Sequence, residues 1–126
     1  MKPTILLAED DALTRFMMCE MLEEMDYDFE VARNGAECHE MIQRSPENYA
    51  VVLMDIHMPH KSGVEVARGI RSSRNDPPSN IPIIAITADH VWTDPTRYNQ
   101  VGFSDAVQKP VNMVELNEKI SRVLAA

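Results

Sequence analysis

The stretch AVVLMDIHMP, residues 50–59, decides the fold. Ala50 to Met54 is apolar without a break, and a single carboxylate, Asp55, follows before Ile56-His57-Met58-Pro59. A short, uninterrupted apolar run predicts a strand buried on both faces, as in a parallel sheet covered by helices. Asp55 then falls at the carboxyl end of that strand, where the chain leaves the core. In open α/β sheets that edge is where ligands bind.

Four more candidate strands lie on either side. Ile5 to Ala8 predicts a strand ending in Glu9, Asp10 and Asp11. Phe29 to Ala32 is shorter and flanked by charge, which suits a sheet edge. Ile83 to Ile86 ends in Thr87, and Ala106 to Gln108 ends in Lys109-Pro110. Helical patterns fill the gaps. Leu13 to Met25 carries apolar residues in two rows and four of the nine methionines, and it reads as a broadly buried, core-forming helix. Asn34 with Glu37 opens a second helix that runs to about Arg44, ahead of Ser45-Pro46. Gly63 to Ile70 forms a third. Asp94-Pro95 opens a short, late-starting fourth that ends before Gly102. Asn112 with Glu115 opens a fifth, with Met113, Leu116, Ile120, Val123 and Leu124 as its apolar face. Ser72 to Asn80, with its two prolines, reads as a mobile polar loop. Five alternating strand–helix units predict a single α/β domain over residues 1–126, a doubly wound parallel sheet of flavodoxin-like (βα)5 form with strand order 2-1-3-4-5.

Composition narrows the function classes. The chain has 126 residues and a formal net charge of −8, with basic residues too scattered for a nucleic-acid footprint. The acidic excess favours cationic partners such as metal ions. No apolar run approaches the ~20 residues of a membrane span. Cys19 and Cys38 lie inside helical patterns without metal-ligand spacing and read as reduced thiols. A cytoplasmic setting is expected.

A parallel sheet brings its strand ends to one rim, so Glu9, Asp10, Asp55, Thr87 and Lys109 are expected together. Carboxylates ~4 Å apart repel by about 4 kcal/mol at an effective dielectric near 20. A shared proton or a hard divalent cation would offset this, and Mg²⁺ takes one or two carboxylates with phosphate oxygens and water. An aspartate can attack phosphorus and carry an acyl phosphate, a reaction that needs positioning and charge neutralisation. The residues therefore point to a metal-assisted phosphoacceptor aspartate. Asp11 reads as a helix N-cap rather than a ligand.

At LLAEDD, LMDIHMP, IIAITA and QKP the chain resembles the receiver domains of two-component response regulators, with all four motifs in order along its length. The resemblance implies that Asp55 takes a phosphoryl group from a phosphohistidine on a histidine kinase or histidine phosphotransfer protein. It implies Mg²⁺ bound by Glu9, Asp10, Asp55 and the backbone carbonyl of His57. Thr87 and Lys109 would contact the phosphoryl group and relay its arrival to an effector through the face formed by helix four, strand five and helix five. Lys109-Pro110 would be cis, and His57 and Asp89 would tune phosphate lifetime. Ala106 departs from the family, which usually carries an aromatic switch there, and Trp92 lies in the loop near that output face. His39, His60 and His90 are expected at the surface.

Three alternatives are weighed against this reading. A phosphohydrolase with an Asp-x-Asp pair would want an acid where His57 stands. A nucleotide binder would want a phosphate cradle where Glu9-Asp10-Asp11 would repel one. A degenerate receiver acting only through protein contacts is kept open by Ala106. The receiver could be free-standing or part of a hybrid histidine kinase; IPIIAITA and the loop before it resemble the latter more.

Overall fold

The computed structural model describes residues 3–125; Met1, Lys2 and Ala126 of the predicted 1–126 domain lie outside the described residues. Five strands, β1 (Thr4–Ala8), β2 (Asp28–Ala32), β3 (Val51–Asp55), β4 (Ile83–Thr87) and β5 (Asp105–Gln108), form one parallel sheet in the order β2-β1-β3-β4-β5. The helices are α1 (Ala12–Glu24), α2 (Gly35–Arg44), α3 (Gly63–Arg71), α4 (Pro95–Val101) and α5 (Met113–Ala125). The predicted topology is the observed one, with boundaries moved by one residue at several ends. The shift that matters is at β3, where Asp55 is the last residue of the strand itself.

The sheet separates two apolar layers, and the period-two alternation of the strands assigns them. Leu6, Val52, Met54, Ile83 and Ala85 pack with Cys38, Ile42, Val66, Ala67 and Ile70 under α2, α3 and α4. Ile5, Leu7, Val51, Leu53, Ile84 and Ile86 pack with Met18, Leu22, Leu116 and Ile120 under α1 and α5. Every residue of β3 and β4 is buried. Only the final position of each, Asp55 and Thr87, is polar, so those side chains emerge where the core ends.

The helix starts follow their sequence signals. The Asn34 side chain accepts from the N–H of Glu37, Asp94 accepts from Thr96, and Asn112 accepts from Glu115. Gly102 closes α4 at φ 110°, a left-handed conformation that suits glycine. At α2 the reciprocal half of the predicted capping box is displaced: Glu37 accepts from Arg33, one residue earlier than the cap. A true capping box stands at α3, where Ser62 and Glu65 bond each other's backbone N–H.

Four expectations need correction. α1 is not broadly buried: Met18 and Leu22 face the core, while Leu13, Phe16 and Met17 are exposed. Its two apolar rows are wider than the strip the sheet can cover. Met113, assigned to the apolar face of α5, is also exposed because it sits in the first turn, beyond the sheet edge. The loop after α3 is fastened rather than loose, since the Arg71 guanidinium donates to the carbonyls of Ser79, Ile81 and Gly102. His39 is half-buried, 2.7 Å from Lys61 Nζ at Nδ1 and 3.0 Å from Gln43 at Nε2.

Candidate functional site

The site is built at the carboxyl ends of β1, β3, β4 and β5. Three short backbone bonds hold the strand ends beyond the regular ladders: Glu9 N–H to Ala32 C=O at 3.1 Å, Ile56 N–H to Ile86 C=O at 3.1 Å, and Lys109 N–H to Thr87 C=O at 2.7 Å. Lys109-Pro110 is cis, as the resemblance implied. Asp11, as expected, caps α1, with its carboxylate accepting from the backbone N–H and the hydroxyl of Thr14.

Oxygens of Glu9, Asp10 and Asp55 all lie within 4.8 Å of one another. Glu9 and Asp55 are buried, and Asp10 is the most solvent-facing of the three. Lys109 enters from the far side, its Nζ 2.9 Å from Glu9 Oε1 and 3.5 Å from Asp55 Oδ1. One ammonium faces three carboxylates, so two negative charges remain to be offset. The site shows that deficit. Burial, then the adjoining Glu9 carboxylate, push the Asp55 carboxyl up to about 8, against the opposing pull of Lys109. Burial also works against the Lys109 ammonium, but contact with Glu9 and the charge of Asp55 outweigh it and its pKa is raised.

Does this donor set fit a magnesium ion? Glu9 Oε1 is fully buried without a hydrogen bond of acceptable geometry; its near neighbour is the ammonium of Lys109. Such an atom is costly unless something else satisfies it. The three donors are hard carboxylate oxygens, the type that Mg²⁺ prefers. Two oxygens bonded to one Mg²⁺ at ~2.1 Å sit at most ~4.2 Å apart. The oxygens of the three acids lie within 4.8 Å of one another, a spacing that small side-chain rotations bring to this limit. The residues fit the ion.

The other predicted residues take up positions around this cluster. The His57 side chain is exposed, while its backbone N–H lies 3.3 Å from Asp55 Oδ1. Thr87 is buried, one residue past the partner of Asp55 in the ladder, and its hydroxyl accepts from the N–H of Asp89 at 3.0 Å. The Asp89 carboxylate accepts from the N–H of Val91 and starts the 3-10 turn His90–Thr93. Trp92 sits in that turn, half-buried against the core, with the Arg97 guanidinium 5.4 Å from its ring centroid. Ala106 is buried beside Asp105, whose carboxylate pairs with Lys119 at 3.5 Å.

Sequence reasoning passed over two contributors. Ser62-x-x-Glu65 carries a legible capping-box pattern at the exit from the Asp55 loop. Arg15, whose guanidinium reaches the backbone at Glu9 and Asp10, gave no signal beyond lying on the helix that follows the acidic run.

A five-stranded parallel sheet with three acids, a threonine and a lysine at its strand ends defines a signal-receiving module, and the chain belongs to the response regulator receiver domain family, whose model matches residues 5–121. It is a receiver domain for phosphorelay signalling, with an acidic cluster consistent with a Mg²⁺-binding phosphoacceptor site. Among individual proteins it is similar to the peroxide stress-activated histidine kinase mak3 of Schizosaccharomyces pombe, with 35% identity over 84% of this chain and 5% of the kinase. It also resembles the receiver domain of the sensor histidine kinase PA1611 of Pseudomonas aeruginosa, solved with a magnesium ion coordinated in its active-site cleft. That match has a TM-score of 0.87 and 28% identity, and covers 100% of both chains. A third likeness, at TM-score 0.84 and 25% identity over 98% of this chain and 90% of the other, comes from a complex in Saccharomyces cerevisiae. That complex joins the histidine phosphotransfer protein Ypd1 to the receiver domain of the response regulator Ssk1. The chain spans about half or less of the length of the first curated relatives it matches.

Proposed function

We propose that Asp55 is the phosphoacceptor and that Glu9, Asp10, Asp55 and the His57 carbonyl hold Mg²⁺ around it. The observation that carries this is the convergence of three carboxylates on one point with a single ammonium between two of them. Mg²⁺ would neutralise the cluster and the oxygens of the incoming phosphoryl group. The ionised Asp55 oxygen attacks phosphorus in line with the phosphorus–nitrogen bond of a phosphohistidine. The new phosphorus–oxygen bond gives an acyl phosphate, and the imidazole leaves with the bond's electron pair and takes up a proton. Lys109 follows the charge onto a phosphoryl oxygen, and the Thr87 hydroxyl donates to another.

The same residues support regulation of lifetime and output. His57 borders the mouth of the site, and Asp89 holds the Thr87 hydroxyl through its N–H. These positions support a role for both in governing how water reaches the acyl phosphate. The output face is formed by α4, β5 and α5, where Tyr98, Ala106, Lys119 and Arg122 line a shallow cleft. With Ala106 at the usual aromatic position, the Thr87–Asp89–Trp92 turn carries the change in place of a ring on β5.

The partner we propose is a histidine kinase or a histidine phosphotransfer protein. Exposed apolar side chains support it: Met17 on α1 lines a groove with Lys109 and Pro110, and Leu13 and Phe16 on α1 and Val114 on α5 are exposed as well. We propose one domain over residues 1–126 and a cytoplasmic setting. The free thiols of Cys19 and Cys38 support that setting; no helix among the described residues is long and apolar enough to cross a membrane. An intact acid cluster favours phosphotransfer over a degenerate, contact-only role.

The test is intact-mass spectrometry after incubation with a small acyl phosphate and Mg²⁺. The wild-type chain is expected to gain one hydroxylamine-sensitive phosphoryl group, and Asp55→Asn to gain none. Labelling that persists in Asp55→Asn would assign the acceptor elsewhere.

A further inference from the structure

We infer that Arg15 is a positioning residue for the cation site, acting through the backbone that carries Glu9 and Asp10. The inference rests on the reading of Glu9, Asp10 and Asp55 as cation ligands.

Successive side chains of a strand point to opposite faces of the sheet, and successive carbonyls point to opposite edges of the strand. A regular continuation of β1 past Ala8, its last laddered residue, would send Glu9 and Asp10 to opposite sides of the sheet. Yet oxygens of both reach the same point as Asp55. The chain must therefore bend at these residues, and the carbonyls record the bend. One nitrogen of the Arg15 guanidinium, Nη1, lies 3.0 Å from the Glu9 carbonyl oxygen and 3.2 Å from that of Asp10. Two consecutive carbonyls can meet one nitrogen only where the strand has ended and the backbone has turned.

Arg15 is well placed to hold that turn. It projects from the first turns of α1, whose start is fixed by the Asp11 cap, and it is half-buried. The Asp11 N–H lies 3.3 Å from Glu9 Oε2, so helix cap, clamp and acid side chain form one continuous network. The carboxylates repel each other, and the bent backbone is what stops them swinging apart. In metal sites, hydrogen bonds behind the ligands set affinity in this way.

The inference has a sign that opposes simple electrostatics. Arg15 is a cation beside a cation site, so removing its charge alone would tighten Mg²⁺ binding. Removing the clamp loosens it. The experiment is a calorimetric Mg²⁺ titration of the full chain as wild type, Arg15→Ala, Arg15→Gln and Arg15→Lys. Loss of outer hydrogen bonds at metal sites costs about 10–100-fold in affinity, and Arg15→Ala is expected near the lower figure. Arg15→Lys, which keeps a charged donor, is expected to recover most of the loss. Arg15→Gln, a shorter neutral donor, is expected to bind more tightly than Arg15→Ala, which is equally uncharged but has no donor. Equal or tighter binding by Arg15→Ala overturns the role of Arg15. If that variant does not fold, binding by Arg15→Gln equal to or tighter than that of Arg15→Lys overturns it instead. A wild-type chain that takes up no Mg²⁺ overturns the site reading itself, which separates the two failures.

Discussion

Asp55 is poised by its neighbours rather than by its own chemistry. In the metal-free chain its carboxyl is pushed up to about 8, well above the ~4 of a free aspartate in the unfolded chain. A raised native pKa means that the folded state holds a proton that the unfolded state has released. Stability from this group is therefore complete below about pH 4 and is lost as pH rises towards 8. Mg²⁺ competes with that proton, so its affinity should climb over the same window. We expect metal-free urea unfolding midpoints to fall between pH 5.5 and pH 8, and saturating Mg²⁺ to remove the fall. Asp55→Asn, which has no carboxylate to crowd, should be more stable than wild type at pH 8 without metal and should lack the slope. Parallel denaturation series at the two pH values check both statements. At this scale the sequence was direct for Asp55 and Thr87, because each ends an apolar run, and for Lys109, because it stands with Pro110 directly after the fifth predicted strand. It was silent on Arg15, whose role depends on a bend that no residue pattern announces.

At the scale of elements, the exit from β3 is tightly built. An added Cβ at Gly63 would lie 2.4 Å from the Asp55 carbonyl oxygen and 2.9 Å from Ile56 Cα. One at Gly35 would lie 2.0 Å from the Lys61 carbonyl oxygen. All three distances are below contact, and all three are to backbone, which cannot rotate away. Gly63→Ala is therefore expected to displace the Asp55–Ile56 backbone, weaken Mg²⁺ binding severalfold and lower the melting temperature. A metal titration beside a thermal melt reads both effects. Ser62-Gly63 joins an N-cap to a residue with no side chain to clash. Helix starts were legible because capping chemistry is local, as at Asn34, Asp94 and Asn112. The exposure of Leu13, Phe16 and Met17 was not, since apolar spacing fixes a stripe but not how much of it the sheet covers. Those residues instead offer exposed apolar surface to the proposed donor.

For the whole molecule, the parallel order β2-β1-β3-β4-β5 converts four distant segments into one pocket. It also sets the route outward. Thr87 ends β4, Asp89 ties its hydroxyl to the next turn, and Trp92 rides on that turn against the core. A change at the phosphoryl pocket should therefore reach the indole. We expect Trp92, the single tryptophan, to change its fluorescence modestly with Mg²⁺ and further with a beryllium fluoride mimic of the phosphoryl group. Thr87→Ala should retain the first change and lose most of the second. A titration in which wild type and Thr87→Ala respond alike to the mimic would break the route at its first step. The topology was legible because five short strand patterns alternate with helical ones between clear punctuation. The partner and the longer protein, if any, are properties of surfaces and segments beyond that pattern.

Lys109 has a consequence for the life history of the molecule. By lying against Glu9 and Asp55, its ammonium acts as a tethered counter-ion supplied by the chain itself. The newly made domain can thus close its acidic pocket without waiting for divalent salt, and the same arm is already in hand when a more highly charged guest arrives.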